Sequence, residues 1–282
     1  ASASPRNPLK REALGGSWNS SANFPVPSIE RRARSEWSVA MRVASSSSSG
    51  LPHQDLASQE LPAFLAYAFA YFAYLFWSLE TEAGHWISLV LLPAGLIWLA
   101  RKCRGQGARP GDVLASAGLR RDWTLGLGWA FLLGSLLSSL QFLLSRNSAA
   151  ILEILLSRRG LLLLPVAFLL MFLTAGFTEE FFFRGVLQTR LHARFRSNVI
   201  AVLVSSVLFG IYHLPYAYLN PRWPSHGDWV AALGAAFGQA IPAGLILGTL
   251  YAKRPNLLAC VVVHTMVNLL PAAAMLASQV RR

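Results

Sequence analysis

The chain has 282 residues, 54% hydrophobic and only 13% charged, and its mean hydropathy is +0.43. Those figures exclude an ordinary soluble domain of this length and place the chain in a bilayer. The net charge of +12, from 25 basic against 13 acidic residues, would suggest nucleic acid on a soluble surface. Here the basic residues fall between apolar runs, so they read as membrane topology and contact with anionic lipid, and nucleic acid is not expected as a partner.

Residues 1–58 are rich in Ser, Arg and Pro, with a serine run from Ser45 to Ser49 and no sustained apolar periodicity. They read as a disordered, basic N-terminal segment that is only loosely like an organellar transit peptide. Met41 opens a plausible shorter chain, so residues 1–40 are assigned no function. A membrane domain is expected over 59–282. Its apolar segments run approximately over 61–79, 86–101, 123–144, 162–189, 198–214, 229–251 and 257–277. All must be helices, because an open strand in lipid leaves its backbone unsatisfied. The expected fold is therefore an all-α polytopic transmembrane bundle of about seven spans, with six to eight allowed by the shorter segments. Residues 149–157 suit an interfacial helix, Pro165 suits a first helical turn, and Pro242 predicts a kink in the sixth span. Cys103 and Cys260 provide neither a disulfide framework nor metal-ligand spacing.

The connections set the orientation. With the N-terminus inside, the inner ones carry Arg101, Lys102, Arg104, Arg109, Arg120, Arg121, Arg190, Arg194, Arg196, Lys253 and Arg254, eleven basic residues. The outer ones carry six, Arg146, Arg158, Arg159, Arg222, Arg281 and Arg282, with Glu80 and Glu82 in the first outer turn. This asymmetry predicts a cytoplasmic N-terminus, most simply in the cell (plasma) membrane. No internal repeat of the kind that marks a transporter is visible.

Ionisable side chains inside the spans are few: Glu179, Glu180 and Arg184 in the fourth, His213 in the fifth and His264 in the seventh. A charge in hydrocarbon costs roughly 2.5–3.5 kcal/mol on insertion scales, so these residues need partners and a use. Glu180 and Arg184 lie four apart and can pair within one helix, which leaves Glu179, about 100° around, to face something else. Glu179 and His213 each lie about 17 residues from the turn near Arg196, so both are about 25 Å along antiparallel helices and level. His264 and Asn268 project from one face of the seventh helix. A carboxylate beside an imidazole can activate water, and side-chain N–H groups on a facing helix can hold an oxyanion. These are the parts for hydrolysing an amide without a covalent intermediate, in a site expected to open toward the cytoplasmic side. Phe181, Phe182, Phe183 and Phe209 read as packing and lipid-facing residues.

The string Glu179-Glu180-Phe181-Phe182-Phe183-Arg184 resembles an EExxxR motif, Phe209 to His213 an FxxxH motif, and His264 to Asn268 an HxxxN motif. In that order on successive spans they resemble the CPBP family, also called Abi or CAAX-protease-like intramembrane endopeptidases, over about residues 160–277. The resemblance implies a glutamic-type, metal-independent protease. In it Glu179 is the base, His213 assists, His264 and Asn268 stabilise the oxyanion, and Glu180 and Arg184 support. It also implies a membrane-associated peptide or lipidated protein as substrate and no cofactor. Zinc held by Glu179, His213 and His264 is the alternative that the residue types leave open. Ser205 and Ser206 have no general base at suitable spacing, and neither a GxSG nor an HExxH string occurs. Two other classes stay open: a proton-coupled transporter using Glu179, His213 and His264 as a relay, and a catalytically inert immunity or scaffold protein. Nothing in the sequence specifies an oligomeric state.

Overall fold

In the computed structural model, residues 51–104, 126–144 and 148–279 are described, with Gly111, Leu114 and Leu119 between them. The Ser-rich stretch up to residue 50 lies outside the described residues, as do Arg109, Arg120, Arg121, Arg146, Arg281 and Arg282. All regular structure among the described residues is helical. The helices are α1 (Leu51–Trp77), α2 (Glu82–Cys103), α3 (Leu127–Leu144), α4 (Ser148–Leu156), α5 (158–195), α6 (Asn198–Leu219), α7 (Trp229–Lys253) and α8 (Leu257–Gln279). Seven of them, all but the short α4, are long and apolar enough to cross a membrane. The expected all-α polytopic bundle is the fold, and α4 covers the stretch expected as an interfacial helix.

Turns are closed by side chains that replace missing backbone partners. Ser197 caps α6 by accepting from the Ile200 amide, Asp228 caps α7 by accepting from Val230 and Ala231, and Asn256 accepts from Ala259 at the start of α8. Between α5 and α6 the chain reverses at Arg196, in the left-handed region with φ of 53°.

The first helix begins at Leu51, about ten residues before the apolar run, and this recovers two charges that hydropathy alone assigns to loops. Glu60 lies inside α1, where its Oε2 accepts from Arg190 Nε at 3.0 Å and Nη2 at 2.8 Å, and the guanidinium lies 4.7 Å over the Phe64 ring. Arg190 is thus buried and paired, and is not the free topology charge it was expected to be. At the opposite turn Glu80 accepts from Tyr71 at 2.9 Å and Ser88 at 2.7 Å, stapling α1 to α2.

Four stretches of wider, π-helical backbone interrupt the spans: Ile87–Leu91, Phe172–Gly176, Phe181–Gln188 and Ala236–Ala240. The first and last directly precede Pro93 and Pro242 in their helices, so the expected disturbance at Pro242 takes the form of a widened turn that relieves the missing amide and the ring clash. Pro165 lies inside α5, because that helix starts at Arg158 and not near residue 162. The other two stretches flank the four α-helical residues Phe177–Glu180 and involve no proline.

Bulk is arranged as a bilayer dictates. The outer faces of α3 and of the first half of α5 are lined by exposed leucines, while α6, α8 and the second half of α5 form the interior. Phe181, Phe182, Phe183 and Phe209 are all in that interior, with Phe183 stacked on Phe72 and edge-on to Phe182 and Phe209. None of the four faces lipid, contrary to the expectation. They are buried because the whole of Phe181–Gln188 is surrounded by other helices. Small residues allow the helices to approach, as they do where lipid supplies no hydrophobic drive. A Cβ at Gly176 would lie 2.6 Å from Thr265 Oγ1 on α8, and one at Gly210 would run into Ile241 Cγ1 on α7.

Two chemically distinct ends result. One carries Arg196, Lys253, Arg254 and, across the bundle, Gly126 within 3.9 Å (Cβ position) of the Arg254 guanidinium. The other carries Glu80, Glu82, Asp228 and the tryptophans Trp77, Trp86, Trp223 and Trp229, with Phe76 of α1 against Trp229 of α7. Tryptophan at this level matches an interfacial aromatic belt.

Candidate active site

The middle of α5 places the charged triplet where three other helices converge. Its four α-helical residues Phe177–Glu180 hold both carboxylates, and Thr178 and Thr174 turn their hydroxyls back onto carbonyls four residues earlier, a bond that bends helices. Glu179, Glu180 and Arg184 are all buried.

Glu180 and Arg184 do pair, with Glu180 Oε1 3.1 Å from Arg184 Nη1. The pair is nevertheless more than an intrahelical lock. The same Glu180 Oε1 accepts from His264 Nδ1 on α8 at 2.8 Å. Arg184 reaches the other way, donating from Nη2 to the Gly244 carbonyl of α7 at 3.3 Å and lying 4.6 Å over the Phe209 ring of α6. Gly244 also lets α7 approach α6, since a Cβ there would sit 3.0 Å from the Ser206 Cα. One turn on, Gln188 repeats the pattern, donating to the Gly248 carbonyl at 2.8 Å. Glu180 and Arg184 therefore tie α5 to α6, α7 and α8 at one level.

Glu179 points elsewhere, as the helical offset predicts. Its Oε2 lies 3.7 Å from His213 Nε2 and 3.9 Å from His264 Nε2, and is buried without a hydrogen-bond partner of its own. The two rings are held from behind. His213 Nδ1 is 2.8 Å from the Phe209 carbonyl, and a carbonyl only accepts, so Nδ1 carries the hydrogen. His264 Nδ1 likewise faces the Glu180 carboxylate. Both imidazoles thus present Nε2 to Glu179, in orientations fixed by their second nitrogen. The guanidinium at this level pairs with Glu180, and Glu179 faces the two imidazoles.

These three groups lie on the wall of a cavity of about 790 Å³, which Asn268 also lines, one turn beyond His264. All four residues expected to act together, Glu179, His213, His264 and Asn268, are therefore at one cavity, with Glu180 and Arg184 behind them. The cavity follows α3 from Leu137 to Leu144 and α8 from Val263 to Pro271, and reaches Trp223 in the loop after α6. These are the halves of the helices away from the basic turns, so the site does not open toward the basic end as expected. The register from the Arg196 turn gave level side chains correctly, but depth alone does not say which mouth is open. Among the described residues no group of three or more His, Cys, Asp or Glu side chains is arranged to hold a metal ion.

Three further features did not figure among the expectations from the chain. The Glu180–His264 bond joins residues 84 apart. His85, one residue before the expected second span, shares a 2.6 Å hydrogen bond with Tyr216 of α6. Gln141 and Gln239 line the cavity from α3 and α7. The two glutamines were findable as the only amides in their apolar spans.

Residues 161–270 match the family model described as type II CAAX prenyl endopeptidase, Rce1-like. Comparison with curated proteins and with solved structures gives no match.

Proposed function

We propose that the chain, whose residues 161–270 match the type II CAAX prenyl endopeptidase, Rce1-like model, hydrolyses a peptide bond in a membrane-associated or lipidated substrate by means of a water activated at Glu179. The carrying observation is the convergence of Glu179 Oε2 with two imidazole Nε2 atoms, at 3.7 and 3.9 Å, on the wall of a cavity inside an apolar bundle.

In this reading a water donates one hydrogen toward Glu179 Oε2 and the other toward His213 Nε2, which is an acceptor when Nδ1–H is bound to Phe209. As the water oxygen attacks the substrate carbonyl carbon, Glu179 takes its proton. The carbonyl oxygen becomes an oxyanion, held by the Asn268 amide and by His264. In its imidazolium form His264 donates from Nδ1 to Glu180 and from Nε2 into the cavity. Collapse of the tetrahedral intermediate breaks the C–N bond, and the protonated Glu179 returns its proton to the departing amine. Glu180 and Arg184 act by positioning His264. No covalent enzyme intermediate is required, so the chemistry is of the glutamic type.

The test is cleavage of a farnesylated peptide ending in a CaaX sequence by the full chain reconstituted in liposomes. Glu179→Gln is expected to lower the rate by about 10²–10⁴-fold while insertion and accumulation stay normal. Full cleavage by that variant sinks the reading. Proton flux across the liposomes without hydrolysis makes the chain a transporter instead, and activity lost to chelation and restored by zinc turns Glu179 and both histidines into ligands. We further place the basic end at the cytoplasmic face of the cell membrane, which puts the cavity toward the opposite leaflet.

A further inference from the structure

Two polar groups at the cavity have no part in the water chemistry. Gln141 lies on α3 and Gln239 on α7, and both amides are exposed on the cavity lining. Between Trp229 and Leu250 the seventh helix has only one other polar residue, Thr249, and α3 otherwise offers only Gly and Ser among its apolar residues. A serine in a span can satisfy itself on its own backbone, but a primary amide brings two donors and an acceptor, and an unsatisfied amide in an apolar medium costs several kcal/mol on the order of 2–7. Two such groups facing one cavity are in the right place only if something polar enters it.

Their placement narrows what that is. α3 leans on α8, where a Cβ at Gly134 would sit 2.6 Å from Met266 Cβ, and α7 leans on α6 through Gly210 and Ile241. The cavity therefore has α3 as one wall and α7 as the other, each with a glutamine, and Glu179, His264 and Asn268 between them. An extended peptide presents the complement of an amide on both edges, alternating N–H and C=O. The remaining wall residues of α3 and α7 are largely apolar, so they have no charged group with which to read a polar side chain.

We propose that Gln141 and Gln239 grip the main chain of the substrate from the two walls of the cavity and hold it extended across Glu179. This rests on the hydrolytic reading above. Each amide contributes ordinary neutral hydrogen bonds, so Gln141→Leu and Gln239→Leu, similar in volume and more compatible with lipid, are each expected to raise KM about 3- to 10-fold with kcat within about twofold.

The decisive measurement uses the same farnesyl peptide with each backbone amide near the scissile bond replaced in turn by an ester, which removes the N–H and weakens the carbonyl as an acceptor. With the unaltered chain, particular esters are expected to raise KM by a similar factor. With Gln239→Leu one of those penalties disappears, and with Gln141→Leu a different one does. A glutamine with a merely structural role leaves the penalties unchanged in both variants. Unchanged KM in both variants, or ester penalties that persist in both, overturns the grip while an inactive Glu179→Gln chain keeps the hydrolytic reading. An unaltered chain that does not cut the peptide, or a Glu179→Gln chain that cuts it fully, removes that reading and the grip together.

Discussion

The two halves of α5 invert the usual relation between polarity and burial. In 158–176 the most apolar side chains, Leu161, Leu162, Leu169 and Leu173 among them, are exposed at the bundle surface. In 177–195 four of the five charged residues, Glu179, Glu180, Arg184 and Arg190, are buried, Glu180 completely, and only Arg194 near the turn is exposed. A soluble helix would be ordered the other way. Here hydrocarbon is the solvent, so leucine needs no burial, whereas a charge is tolerated only where protein groups surround and pair it. The difference teaches that in this molecule exposure marks lipid contact and buried polarity marks the candidate site.

The comparison breaks most severely at Arg184. Arg184→Leu leaves Glu180 buried without its cation, and is expected to cost about 3–5 kcal/mol, read by steric trapping in bicelles and as loss of accumulated protein. An unchanged protein would mean the buried half does not depend on charge pairing. A matched pair of truncations sharpens the contrast next. Phe183→Ala, in the interior ring cluster, is expected to cost about 2 kcal/mol, below the 3–5 typical of a soluble core because the unfolded side chain stays in hydrocarbon. Leu169→Ala, on the lipid side of the same helix, should stay within about 0.5 kcal/mol. Equal effects would erase the distinction. Gly176→Ala tests the boundary between the halves. Its Cβ would meet Thr265 Oγ1 at 2.6 Å and the Met171 carbonyl at 2.9 Å, so about 1–3 kcal/mol of overpacking is expected. Cleavage should fall as well, since this approach of α5 to α8 brings Glu180 to His264. The mildest probe changes no residue. Cys103 is exposed at the basic end and Cys260 is buried, so a membrane-impermeant maleimide should label Cys103 in inside-out vesicles and not in intact cells. Labelling of intact cells reverses the proposed orientation.

Much of the fold was legible because bilayer burial is written in one dimension. Apolar runs of span length, closed by Arg196 and Arg254, locate the helices without any knowledge of their neighbours. The candidate site was legible to the same degree: helical spacing separates Glu179 from the Glu180–Arg184 pair, and counting residues from the Arg196 turn sets His213 level with Glu179. Where reasoning along the chain went astray, a partner was far away in sequence. Arg190 looked like a loop charge because its partner, Glu60 on α1, lies 130 residues away. Phe181 to Phe183 looked suited to lipid because hydropathy cannot tell a surface that faces lipid from one that faces protein.

An all-α membrane bundle, the levels of its few ionisable groups and the order of three motifs resembling one family could all be read along the chain. Those follow from hydropathy, helical rise and residue type, which are local properties. Only the tertiary structure decided that Glu180 holds His264, that both imidazoles turn Nε2 to Glu179, and that the cavity lies toward the tryptophan-bearing end between the glutamines of α3 and α7. These depend on which helix faces reach one another, and that is set by close contacts such as Gly176 on Thr265 and Gly210 on Ile241, between residues that chain spacing cannot pair.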